Sequence, residues 1–305
     1  MRHSHQRPTV EISNPDKVLF PRDRITKADL AAYYEEIADT MLPHIRDRAV
    51  VMHRFPDGIR HEGFIQKDVP EYFPEWIKTV TVKKAGGSVT HVVVDKAATL
   101  VYLADQGCIT PHVWLSRIDR PDNPDRLVFD LDPSGRTFEP VVAAAHALRE
   151  LLEAVDLVPY LMATGSRGLH VVVPLDRSAD FDTVRAFTRR VATAVAHEGS
   201  NRFTIEQRKE KRRGRVYLDT MRNAYAQTTV APYAVRALPG APVAAPLDWA
   251  ELSRLEDAHP YTIKTIARRL ARRDDPWKDI ARRARAIREA EQRLDALEPA
   301  GARRA

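Results

Sequence analysis

Two carboxylates stand one residue apart in LVFDLDP, residues 127 to 133, where Asp130 and Asp132 interrupt an apolar run. Val128, Phe129 and Leu131 give the stretch strand character, and a side-chain period of two puts both aspartates on one face. Left alone, such a pair repels and one of its pKa values rises. Two hard oxygen donors at this spacing can instead bridge a pair of divalent cations, which removes the repulsion. The competing reading is a strand end with a turn-forming Asp-Pro. Asp219 closes a second strand of similar make-up, GRVYLD, and offers a third carboxylate. Two cations about 3.5–4 Å apart suit in-line attack at phosphorus, one activating the attacking hydroxyl and one holding the leaving pyrophosphate. That chemistry needs anionic ligands and no nucleophilic side chain, so the pattern points to phosphoryl or nucleotidyl transfer.

Between the two aspartate strands lies ATGSRGLH, residues 163 to 170. Gly165 and Gly168 allow close backbone approach, Thr164 and Ser166 bring hydroxyls, and Arg167 brings a forked cation. Together they suit a triphosphate, with an ordinary glycine turn as the alternative. His112, in CITPHVWLS, alternates with Thr110 and Trp114 and by itself reads as a packed core residue. Phe64, in GFIQK, reads either as core or as a base-stacking platform. QRKEKRRGR, 207 to 215, is a polyanion-attracting run or else a solvated loop or helix face.

The elements that must position these residues follow from the pattern. VEISNPDKVLF reads as a short strand, a turn at Asn14-Pro15 and a return segment. Thr26 has the look of an N-cap before KADLAAYYEEIADTMLPHI. Strands are expected at 49–55, 63–67 and 108–116, with TVTVKK and VTHVVVD flanking a hairpin turn at 83–88. FEPVVAAAHALRELLEAV and FDTVRAFTRRVATAVAHEG read as helices on either side of the strand–loop–strand unit PYLMATGSRGLHVVVPL. An extended, proline-rich stretch, 228–246, precedes two helical stretches separated near Asp274-Asp275-Pro276-Trp277. Strands and helices in this order imply an α+β, or mixed α/β, architecture.

With 305 residues and 44% hydrophobic content, the chain suits a soluble globular protein. It contains no apolar run of the ~18 residues a membrane span requires. The N-terminus has no apolar core of signal-peptide type, so a cytoplasmic, nucleoid-associated location is expected. One cysteine, Cys108, excludes an internal disulfide and a multi-cysteine zinc site. Residues 260 to 305 hold thirteen Lys or Arg and seven Asp or Glu, 13 − 7 = +6, which equals the net charge of the whole chain.

LVFDLDP, TGSRGLHVVVPL, YLDTMRN and TTVAPYAVRALPGAPVAAPLDWAEL together resemble the polymerase domain of bacterial DNA ligase D and its stand-alone relatives in the archaeo-eukaryotic primase superfamily. The similarity runs from SNPDKVLFP through HPYTIKTIARRLARRDDPW with the motifs in family order. It implies a primase-polymerase fold, with a central antiparallel or mixed sheet bearing the aspartates and flanked by helices. One catalytic domain over 1–297 is expected, with an N-terminal part to about 100, a core at about 101–246, C-terminal helices at about 247–297 and a disordered tail at 298–305. The implied activity is addition of ribo- or deoxyribonucleotides to a primer 3′-hydroxyl in non-homologous end joining or gap repair.

By position, Asp130 and Asp132 would bind both catalytic cations, Mn²⁺ or Mg²⁺, and Asp219 the one activating the primer hydroxyl. The resemblance gives the incoming nucleotide to Thr164, Ser166, Arg167, Arg222 and Arg236, with His112 against the ribose and Phe64 as a stacking surface. It gives DNA to Arg54, Lys67 and Arg212, and a downstream 5′-phosphate to Asn14, Lys17 and Lys27. Read without the resemblance, the two lysines are surface residues flanking a turn and a helix N-terminus. Thr164 and Arg167 stand where serine and lysine are common, Arg222 where glutamine is, and Phe64-Ile65 where an aromatic pair is frequent. No K-x-D-G nucleotidyl-attachment motif occurs, so a separate ligase, and Ku, are the expected partners of an excised domain or a free-standing polymerase. Two rivals stay open: a non-catalytic DNA-end-binding module, to which three clustered carboxylates would be useless, and a metal-dependent nuclease or phosphatase, which TGSRG, His112 and Arg236 disfavour.

Overall fold

The computed structural model describes residues 10–84, 86–135 and 137–297. The expected tail at 298–305 lies outside the described residues, as do residues 1–9 of the expected domain and Ala85 of the expected hairpin turn. The chain is α+β and forms two compact units, each assembled from separate stretches. Among the described residues no helix is long and apolar enough to cross a membrane.

The first unit takes the described parts of Met1–Val113, with Val230–Ala244 and Tyr261–Arg273. Its antiparallel sheet is built on Ala49–Arg54, which pairs with Cys108–Trp114 on one side and with Gly87–Val93 and Phe64–Gln66 on the other; Thr79–Lys84 extends it beyond Gly87–Val93. Thr26 is an N-cap, as its position before an apolar-periodic run predicts: its hydroxyl accepts from Asp29 N while Asp29 returns a bond to Thr26 N. The single helix expected after it is two, Lys27–Glu36 and Ala38–Ile45. The strand expected before Asn14 is absent. Val18–Phe20 instead pairs with Ile25–Thr26, and Ser13 bonds the Asp105 carboxylate through its amide and hydroxyl. The proline-rich stretch is held by side chains: Thr110 donates to Val235 O (2.6 Å), Val235 N donates to Tyr34 Oη (3.1 Å) and Tyr33 donates to Tyr233 O (2.8 Å).

The second unit takes Trp114–Thr229, Ala245–Pro260 and the described part of Asp274–Ala305. Its sheet runs Phe203–Thr204, Val216–Asp219, Arg126–Asp132, Leu169–Pro174, Tyr160–Ala163, Ala245–Leu247. All pairs are antiparallel except the first, so the sheet is mixed. Helices Glu139–Ala154 and Phe181–Glu198 pack on it, and Asp180 caps the second through Thr183 N. Along Arg126–Asp132, Leu127, Phe129 and Leu131 are wholly buried while Asp130 and Asp132 stay partly exposed. The aspartate strand therefore has a neighbour on each side, which is why its apolar residues read as core.

Candidate active site

Register brings the three aspartates together. Asp130 lies opposite Asp219 on one side and opposite His170 on the other, while Asp132 lies opposite Tyr217. Directly opposed residues of an antiparallel pair share a face with Cβ atoms about 4.5–5.5 Å apart. Asp219, Asp130 and His170 thus form a row across the sheet, with Asp132 and Tyr217 the next row along.

The like charges split, as their spacing predicts. Burial raises the pKa of Asp132, and Asp130 and then Asp219 add to the rise against the pull of Arg167. Asp130 is buried more deeply, yet its own pKa is lowered because His170 and Arg222 together outweigh that burial. His170 Nε2 lies 3.4 Å from Asp130 Oδ1, Arg222 Nε 3.6 Å from Asp130 Oδ2, and Arg167 Nη2 3.8 Å from Asp132 Oδ1. Arg167 and Arg222 are exposed, whereas His170 is buried. Residue-type reasoning overlooked His170. Its signal was available, because a strand resuming at Leu169 and pairing with the aspartate strand puts a second-position residue on the aspartate face.

The TGSRG loop is pinned from within. Thr164 donates its hydroxyl proton to Gly168 O (2.9 Å), and Thr164 Oγ1 accepts from Ser166 N and Gly168 N (both 3.3 Å). Thr164 is therefore buried and shapes the loop, leaving Ser166 half-exposed and Arg167 exposed for a ligand. Gly165 has φ +63°, a left-handed conformation that glycine adopts freely. Gly168 answers a closer constraint, since a Cβ there would sit 1.9 Å from Leu131 O, the carbonyl between the two aspartates.

Asp219 is oriented by Met221 N (2.7 Å) and by the Tyr217 hydroxyl (3.2 Å). Arg212 lies in the basic run but is buried; it donates to Glu206 O and Gln207 O and stacks on the Tyr217 ring at 4.0 Å. It is not part of a solvated face. After Asp219 the strand Val216–Asp219 ends, and Asn223 continues its pairing with a side chain: Oδ1 accepts from Val128 N (2.8 Å) and Nδ2 donates to Val128 O (2.7 Å).

The remaining candidates belong to the first unit and form three groups. His112 faces His53 with ring centroids 6.4 Å apart, and Arg236, placed by the bonds to Val235, acts on His53: burial first, then Arg236, lowers its pKa. Phe64 is not core. It is 47% exposed and has Arg54 at 5.5 Å from its ring, paired with it in register and therefore on the sheet face opposite His53 and His112. Arg54 is buried and held by Gln106 O, Gln66 Oε1 and the Tyr72 hydroxyl, while Lys67, the residue after Gln66, is exposed.

Asn14, Lys17 and Lys27 make the third group. Asn14 has φ +47°, Lys17 N donates to Asn14 O and Lys27 N to Lys17 O. Lys17 pairs with Asp57 at 2.7 Å in solvent, but Lys27 is not a surface lysine: it and its partner Asp105, 3.2 Å away, are each 8% exposed.

Donor chemistry at the three aspartates suits a hard divalent cation: all-oxygen, anionic, on one face, with a crowding that raises Asp132 and that a cation relieves. Among the described residues, however, no group of three His, Cys, Asp or Glu side chains is disposed as a ready ligand cage. Arg167 and Arg222, with the His170 ring beside Asp130, are the groups these carboxylates face here.

A mixed sheet with three aspartates on one face, beside a glycine-pinned cationic loop, defines a domain of the primase-polymerase class. The chain belongs to the family described as LigD, primase-polymerase domain, whose model matches residues 26–277. It is 35% identical over 253 residues to the multifunctional non-homologous end joining protein LigD of Mycolicibacterium smegmatis, covering 82% of this chain and 33% of that protein. It is 32% identical over 285 residues to the bifunctional non-homologous end joining protein LigD of Bacillus subtilis, covering 92% and 46%. The chain thus spans a third to under half of these relatives. The polymerase domain of Mycobacterium tuberculosis ligase D, solved in complex with DNA, superposes with TM-score 0.86 at 32% identity, covering 91% of this chain and 99% of that one.

Proposed function

We propose that this chain is a primase-type polymerase that binds DNA ends or gaps and adds ribo- or deoxyribonucleotides to a primer 3′-hydroxyl, in end joining or gap repair. The observation that carries the reading is the register: Asp219 directly opposite Asp130, with Asp132 two residues on, in a chain of the LigD primase-polymerase family. Asp130, Asp132 and Asp219 hold the catalytic cations. Two divalent cations, Mn²⁺ or Mg²⁺, would supply activation of the 3′-hydroxyl and neutralise charge on the departing pyrophosphate.

Arg167 and Ser166 take triphosphate oxygens from the pinned loop, and Arg222 adds a forked cation beside Asp130. His170 fixes the orientation of Asp130. In the first unit, His112 and Arg236 are assigned to the ribose and sugar, Phe64 with Arg54 beneath it to a base, and Lys67 to the backbone. Arg212, stacked on Tyr217, keeps the basic loop in register with Asp219. Asn14, Lys17 and Lys27 take a 5′-phosphate on the downstream side of a gap, and Ku and a separate ligase are the partners of the reaction sequence.

The test is extension of a gapped duplex carrying a 5′-phosphate, with ribo- and deoxyribonucleotides compared in Mn²⁺ and in Mg²⁺. The proposal expects template-directed addition that stops on chelation with EDTA. No addition with either metal, under conditions where the protein binds the duplex, would leave a binding module.

A further inference from the structure

Lys27 carries a buried charge whose counter-charge no motif named. Asp105 Oδ1 accepts three hydrogen bonds: from Ser13 N (2.8 Å), Ser13 Oγ (2.8 Å) and Lys27 Nζ (3.2 Å). Lys27 Nζ also donates to Ser13 Oγ (2.9 Å), and Gln106 Nε2 donates to the other carboxylate oxygen (3.0 Å). The backbone closes the ring, with Lys27 N bonded to Lys17 O and Lys17 N to Asn14 O. One oxygen, on the last residue of helix Ala97–Asp105, therefore ties the residue before Asn14 to the end of the Lys27 side chain, across 92 and 78 positions of sequence.

The two lysines differ in kind. Lys17 and Asp57 are 38% and 68% exposed, a solvent-screened pair of small worth that a phosphate can readily replace. Lys27 and Asp105 are both buried, so water does not screen the pair and the ammonium depends on the acceptors that Asp105 and Ser13 offer it. The polar hydrogen bonds also fix where that ammonium points, and a phosphate anchor depends on donor geometry as well as charge.

We propose that Asp105 is the positioning residue of the 5′-phosphate pocket, holding Ser13 and Lys27 in the shape that receives the phosphate; this rests on the reading of Asn14, Lys17 and Lys27 as that pocket. Asp105 touches no phosphate. It acts through the Ser13 and Lys27 donors, and a carboxylate oxygen at its Oδ1 position is what the role requires.

The experiment measures Kd for a gapped duplex with and without a downstream 5′-phosphate and takes the ratio for wild type, Lys27→Ala, Asp105→Ala, Asp105→Asn and Ser13→Ala. Asp105→Ala lowers the ratio about tenfold, as loss of a well-placed charge-assisted hydrogen bond would, to the level of Lys27→Ala. Asp105→Asn, which keeps one acceptor oxygen but removes the counter-charge and the acceptor that Gln106 uses, lowers the ratio by less than Asp105→Ala. Ser13→Ala, a substitution at an exposed position that removes only the hydroxyl, lowers the ratio partway. A residue that served stability alone would weaken both duplexes equally and leave the ratio unchanged. Should Asp105→Ala fail to fold, Ser13→Ala and Asp105→Asn decide. A wild-type ratio in Ser13→Ala or in Asp105→Asn overturns the role while leaving the pocket; a ratio of one in the wild type removes the pocket itself.

Discussion

Asp130 and Asp132 differ although only Leu131 separates them. His170 and Arg222 stabilise the charge on Asp130, whereas Asp132 is half-buried and crowded by two other carboxylates, a rise that Arg167 and Arg212 do not cancel. The motif showed that a conflict had to exist, because two like charges on one strand face cannot relax alone. It did not show which residue would absorb the conflict, since the answer comes from His170 and Arg222, 40 and 92 positions away. Cys108 is the opposite case, a residue whose environment removes its chemistry. Burial pushes its thiol up to about 12, and it is 1% exposed. Because the thiolate is the nucleophile, iodoacetamide at about pH 8 should leave Cys108 unmodified in the folded protein and label it fully in denaturant, as intact mass would report.

At the scale of elements, two small features hold the carboxylate face in place. Gly168 lets the loop settle against Leu131 O, and any side chain there meets backbone, which cannot step aside. Gly168→Ala is therefore expected to cost several fold in nucleotide affinity and to lower the melting temperature, while Gly86→Ala, where a Cβ would meet nothing, should leave nucleotide affinity unchanged. Asn223 stands in for a missing strand residue along Val128. Replacing it with leucine leaves Val128 N and O buried without partners, at a cost of about 2–4 kcal/mol by denaturant titration. Strands and helices were largely legible, because periodicity and caps such as Thr26 and Asp180 are local. The split at Ile37 and the lost strand before Asn14 were not: Ser13, in place of a ladder partner, bonds Asp105, far off in sequence.

For the whole molecule, the aspartate strand, the pinned loop and the family match were readable from motif order, while the network around Lys27 and the exposure of Phe64 needed the tertiary structure. Phe64 could be core or platform on composition alone; Arg54 packing on it from the same sheet face decides for an exposed ring. Proton linkage is likewise a property of the whole. Burial holds the pKa of His91 below its ordinary 6.5, and burial with Arg236 does the same for His53. The folded chain then binds fewer protons than the unfolded chain below that value, so stability present above pH 6.5 is lost as the pH falls through it. The melting temperature should drop between about pH 7.5 and about pH 5.5, and His91→Gln should reduce the drop.

The central claim is that Asp130, Asp132 and Asp219 form one nucleotidyl-transfer centre. The most direct measurement compares wild type with Asp130→Ala and Asp132→Ala for primer extension on a gapped duplex in Mn²⁺, with duplex-end binding measured on the same preparations. Extension abolished in both variants, with end binding largely intact, is the predicted result. Extension at the wild-type rate by either purified variant would contradict the assignment.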